Sequence, residues 1–65
     1  MFDIDEIRGR YLAASAFLDE RGRRLFVANE ALALGYDGVT AASMATGLAR
    51  STINRGIAEL PIWAA

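Results

Sequence analysis

The stretch VTAASMATGLARSTINRGIA, residues 39–58, decides the fold. Two short helical segments stand on either side of a glycine. The turn between them needs a residue that tolerates positive φ, and Gly47 supplies it. An apolar residue must plug the angle between the helices, and Leu48 follows the glycine directly. Small residues are required where the helices touch, and Ala42, Ser43 and Gly56 meet that need. Ile53, Ile57 and Leu60 recur at i, i+4 and i+7, which gives the second helix one core-facing stripe. This is the spacing of a helix-turn-helix.

Working outward, the rest of the chain also reads as helix. The expected segments are 3–18, 20–34, 41–46 and 50–60, which make a small all-α, four-helix domain over residues 1–60 with a tail at 61–65. Asp3 is the expected N-cap of the first helix, with Glu6 three residues on, as in a capping box. Ile4, Ile7, Tyr11, Ala14 and Leu18 form its apolar stripe, and Glu6 and Arg10 pair at i,i+4. The plain role of this helix is a packing brace. Asp19 caps the second helix and Gly35 stops it. Leu25, Ala28 and Leu32 make its expected apolar stripe, widened by Phe26 and Ala33, with Val27 and Leu34 on the far side. A helix apolar on so many faces is central or covered by a partner. GYDGV, residues 35–39, is a tight loop. Thr40 is the expected N-cap of the third helix. Pro61 closes the fourth, because the residue before proline leaves the α region.

Composition excludes much chemistry. The 65 residues include no Cys, no His and no Lys. Disulfides, thiol nucleophiles and the usual zinc sites are therefore not available. Ser–His and Cys–His catalysis cannot be built, and neither can a Schiff base or a P-loop lysine. No constellation for catalysis or for a cofactor is legible, which favours a binding module over an enzyme. No apolar run approaches the roughly 20 residues of a membrane span. The acidic start MFDIDEIR is unlike a secretory signal, so a cytoplasmic location is expected.

The formal charge of −1 hides a gradient. Residues 1–20 hold five acids and two arginines, whereas no acid stands between Val39 and Ala58. On a helical wheel at about 100° per residue, Ser51, Asn54, Arg55 and Ala58 oppose the Ile53/Ile57 stripe, flanked by Arg50. The major groove accepts one α-helix. Arg donates two hydrogen bonds to guanine, and Asn pairs with adenine. Arg50, Ser51, Asn54 and Arg55 are therefore candidate DNA contacts, with Thr52 and Thr40 beside them. Arg21, Arg23 and Arg24 start the second helix, at the wrong end for its dipole. They are either a solvated face paired with Asp19 and Glu20 or secondary phosphate contacts. The same Arg/Asn face also suits an ordinary solvated surface.

The segments LDERGRRL (18–25), LGYDGV (34–39), ATGLARSTINRG (45–56) and EL (59–60) resemble the N-terminal region of a bacterial insertion-sequence transposase family, whose catalytic part is the Rhodopirellula-type DDE domain. The likeness spans about two thirds of the chain. It implies a nucleoid-associated module that binds double-stranded DNA at an element's terminal repeats. Ala49 stands where the family has Ser, a lost cap worth about 0.5–2 kcal/mol. Ser43 stands where Ala is usual. The likeness stops at Leu60, PIWAA does not continue it, and none of the carboxylates matches a catalytic position. DNA binding without strand-cutting chemistry is the expectation, from a chain that looks truncated. The alternatives are an interaction fragment, using the apolar surface of residues 25–34 and Trp63 to pair with itself or with intact transposase, and a remnant without function.

Overall fold

A computed structural model describes residues 4–60, which form α1 (Ile4–Ser15), α2 (Glu20–Leu34), α3 (Gly38–Thr46) and α4 (Arg50–Glu59). No strand occurs among the described residues. The all-α, four-helix expectation holds. The proposed Asp3 cap and the tail with Trp63 lie outside the described residues.

Local chemistry explains most boundaries. The Gly22 N–H donates to Asp19 Oδ1 at 2.7 Å, so the α2 cap is as expected. Gly35, at φ 78°, ends α2. Gly47, at φ 80°, ends α3, and its N–H donates to the Ser43 carbonyl at 2.9 Å. This is a left-handed C-terminal cap, which favours glycine. Leu60 is extended, as a residue before proline should be.

Two boundaries differ from expectation, while α4 ends at Glu59, as expected to within a residue. α1 stops at Ser15 and does not reach residue 18. Phe17 and Leu18 instead donate to carbonyls three residues back, in a turn that lets the chain reverse into α2. α3 begins at Gly38, so Thr40 is inside its first turn and is not its cap. The cap position belongs to Asp37, a non-glycine residue at φ 63° whose side chain makes no capping bond. The early start brings Gly38 against α2. A Cβ added there would collide with the Ala31 carbonyl oxygen.

The core lies between α2 and α3, which each pack against all three other helices; α1 and α4 do not pack on one another. Its buried apolar residues are Ile7, Val27, Ala28, Ala31, Ala41, Ala42, Ala45 and Ile53. Most are alanine, so the helices approach closely. Tyr11, Phe26, Val39, Leu48 and Ile57 close the periphery. The stripe expected on α2 requires correction. Val27 is fully buried, whereas Leu32 is 47% exposed and Ala33 is exposed. Hydrophobic size misassigned the face. The buried face carries Val27, Ala28 and Ala31, small enough for α3 and α4 to reach the α2 backbone.

Gly56 marks the tightest α2–α4 contact. A Cβ there would stand 2.7 Å from the Arg24 carbonyl oxygen, 2.9 Å from Arg24 Cγ and 3.0 Å from Ala28 Cβ. Gly9, mid-way along α1, has nothing within 4 Å of an added Cβ. Two Gly→Ala substitutions should therefore move stability in opposite directions. Gly9→Ala should stabilise by about 0.5–1 kcal/mol through helix propensity. Gly56→Ala has the same propensity gain, but overpacking against a backbone atom costs about 1–3 kcal/mol and should win. Urea denaturation of both variants checks the sign.

Candidate nucleic-acid interface

α4 has two unlike sides. Ile53 and Gly56 are buried, and Thr52, Ile57 and Glu59 are partly covered. Arg50, Ser51, Asn54, Arg55 and Ala58 are all exposed, on the side the wheel assigned to them. Ala49 offers no side-chain cap, and the first backbone bond of α4 runs from Ile53 N–H to the Ala49 carbonyl at 3.1 Å. The N–H groups of Arg50, Ser51 and Thr52 precede that bond and point out of the helix end, where anions are favoured.

The arginines fall into two classes. Four have partners within the fold. Arg8 donates from Nε to the Ala45 carbonyl at 3.1 Å and from a terminal nitrogen to the Met44 carbonyl at 3.3 Å. A cation at the C-terminus of α3 complements its dipole. Arg10 joins Glu30 and Glu6, each at 2.6 Å. Arg23 donates from Nε to the Ser15 carbonyl at 3.1 Å and so caps the end of α1. Arg24 pairs with Glu59 at 2.6 Å. Among the described residues, Arg21, Arg50 and Arg55 have no hydrogen bond or ion pair. Two of these three lie on α4.

This divides the cluster at the start of α2. Arg24 stands apart from the other two, because its side chain is only 12% exposed and tied to Glu59 of α4. Arg23 keeps its terminal nitrogens clear of its bond to Ser15. It meets Thr52 in a cleft of about 290 Å³ between α1 and α4, lined also by Tyr11, Glu20, Arg24 and Leu48. Arg21 is exposed. Thr40 is exposed too, but stands at the opposite end of α3 from the turn into α4. It is not brought together with the α4 residues.

The turn itself contains contacts that the sequence pattern does not announce. Ser43 Oγ donates to the Leu48 carbonyl at 2.7 Å. Thr46 Oγ1 donates to the Ala42 carbonyl at 2.8 Å and accepts from Leu48 N–H at 3.3 Å. Small size at 43 is legible from the spacing, but the use of its hydroxyl is not. The available signal was a Ser and a Thr bracketing a glycine cap, since such hydroxyls bond local backbone.

No group of three or more carboxylates gathers among the described residues where a metal ion could sit. Among the described residues, no helix is long and apolar enough to cross a membrane. Compared with known protein families, with curated proteins and with solved structures, the chain finds no match.

The Arg24–Glu59 pair has a pH signature. The hydrogen bond from Arg24 holds the Glu59 carboxyl below its ordinary range, helped by the nearby charge of Arg24, Arg55 and Arg21, with partial burial opposing. A carboxyl depressed in the folded state contributes stability above its unfolded pKa, about 4.3, and loses it as pH falls through the folded value. Thermal midpoints should thus drop as pH is lowered below about 4.3. Glu59→Gln should lower the midpoint at pH 7 and flatten that acid limb. Equal acid limbs in the two proteins would remove Glu59 from the account.

Proposed function

We propose that this chain is a DNA-binding helix-turn-helix module in which α4 enters the major groove. One observation carries the reading. The exposed face of α4 presents Arg50, Ser51, Asn54, Arg55 and Ala58, and its two arginines lack partners among the described residues, while four others are engaged inside the fold. No acid lies between Val39 and Ala58, and Glu59, the first beyond them, makes its ion pair with Arg24. Arg55 and Asn54 suit guanine and adenine edges, and Ala58 allows close approach. Arg50, Ser51 and the free N–H groups at the start of α4 suit phosphate, and Arg21 and Arg23 are the secondary phosphate contacts. The resemblance of residues 18–60 to a transposase N-terminal region points to the terminal repeats of a mobile element as the target. The reading assigns this chain end recognition and no strand cutting.

Few free cations mean few displaced counterions, so the lone module binds weakly. Selection from a random duplex library should enrich one motif. On that motif Arg55→Ala should cost about 1–3 kcal/mol and relax one base position. Arg21→Ala should weaken all duplexes alike and reduce the salt slope by about 1. Absence of any enriched motif at low salt would reject sequence-specific recognition.

A second reading has its own support. Phe17 is 89% exposed, Tyr36 91%, Met44 66% and Leu12 62%. If these side chains share one face, self-association or pairing with intact transposase would cover them. The surface of residues 25–34 contributes less to this than expected, since Val27, Ala28 and Ala31 are buried within the domain. Sedimentation equilibrium should show dimer at high micromolar concentration, weakened by Phe17→Ser. A strict monomer would eliminate this second reading.

A further inference from the structure

We propose that Ser43 and Thr46 are positioning residues: their hydroxyls grip the Leu48 backbone, one at its carbonyl and one at its N–H, and set where the first turn of α4 leaves α3. The consequence for DNA contact rests on the DNA-binding proposal; the mechanical claim does not.

α4 is fastened unevenly. Its C-terminal half is held by α2, through Gly56 against Arg24 and Ala28 and through the 2.6 Å Glu59–Arg24 pair. Its N-terminal half is anchored by Ile53, which is buried with Val27, Ala31 and Ala42, but the first turn ahead of Ile53 is not fastened in this way. Ala49 gives no cap, and Arg50 and Ser51 are in solvent. The preceding Gly47 is the most permissive residue type in the turn. What holds this first turn is Leu48. Its N–H donates to Thr46 Oγ1, and its carbonyl accepts from Ser43 Oγ. Thr46 Oγ1 is itself oriented, because its proton goes to the Ala42 carbonyl and leaves a lone pair for Leu48. Both hydroxyls therefore project from α3, the helix α4 must be aligned with. Arg8 holds the carbonyls of Met44 and Ala45 just before the turn.

DNA contact makes this restraint matter. α4 is held at Ile53 and Gly56, so a loosened turn displaces the helix start and leaves Arg55 in place. Arg50 lies six residues before Gly56, about 9 Å along a helix. A swing of about 10° about Gly56 would move it by roughly 1.6 Å, whereas an N–H···O bond tolerates about 0.5 Å. Loss of the grip should therefore weaken the phosphate contacts of Arg50 and Ser51, and so binding to all duplexes, more than it alters the choice between them.

The test uses the whole chain with Ser43→Ala, Thr46→Val, the double variant and Thr46→Ser, which keeps the hydroxyl. Residual dipolar couplings compare the direction of α4 with that of α2, and hydrogen exchange follows the Leu48 amide. The double variant should keep its helices but show α4 couplings that are reduced and shifted, with faster Leu48 exchange. Each lost hydroxyl bond should lower the affinity for every duplex by about fivefold, with the preference for the selected duplex within about twofold of the parent. Thr46→Ser should behave as the parent. Unchanged α4 couplings in the double variant would overturn the proposal, and so would full affinity despite a displaced first turn of α4. Should the double variant fail to fold, the couplings of Ser43→Ala decide by the same criterion. If the parent chain prefers no duplex, the DNA reading fails, and the couplings alone judge the grip.

Discussion

The fold depends on the approach of helix backbones to within contact of one another. At Gly56, α4 lies so close to α2 that even a methyl group would meet the Arg24 carbonyl. Gly38 does the same for α3 against Ala31. A domain of this length cannot bury many large side chains, and its core is mostly alanine. Burial then comes from proximity: short side chains give up apolar area but let each helix cover its neighbour's backbone. The elements that follow are fitted to that spacing. α3 starts early so that Gly38 can reach α2, and Val27 replaces bulkier neighbours as the inward residue of α2.

Close packing of helices leaves their ends as the main polar problem, and the arginines address it. Arg8 closes the end of α3, Arg23 the end of α1, and Arg24 offsets a glutamate that stands unfavourably at the end of α4. These are roles for a planar, multiply donating side chain, which suits a chain without lysine. The division also gives the surface its meaning. Once the structural arginines are removed from the count, the remaining unpaired cations are Arg21, Arg50 and Arg55. A net charge near zero thus coexists with a local cationic face on α4.

The sequence made the candidate face legible, because opposition to Ile53 and Ile57 is a property of any regular helix. Arg50, Ser51, Asn54 and Arg55 are exposed where periodicity put them. The secondary contacts were less legible. Arg21, Arg23 and Arg24 look alike in the sequence, yet one is free, one caps α1 with part of its guanidinium, and one is clamped to Glu59. That difference depends on partners 8 and 35 residues away in the chain. Thr40 was displaced from its expected capping role for a related reason, since the contact between Gly38 and Ala31 fixed the start of α3.

The sequence by itself determined the helical class, the cap at Asp19, the stops at Gly35, Gly47 and Pro61, and the two sides of α4. These are decided within a few residues, by backbone conformational limits and by helical periodicity. Only the tertiary structure decided which side of α2 is the core, which arginines are free, and how the turn before α4 is held. Those outcomes turn on which atoms from distant segments arrive within 3 Å of one another. Side-chain size favours Leu32 over Val27 for a core position, yet Val27 is fully buried and Leu32 is 47% exposed.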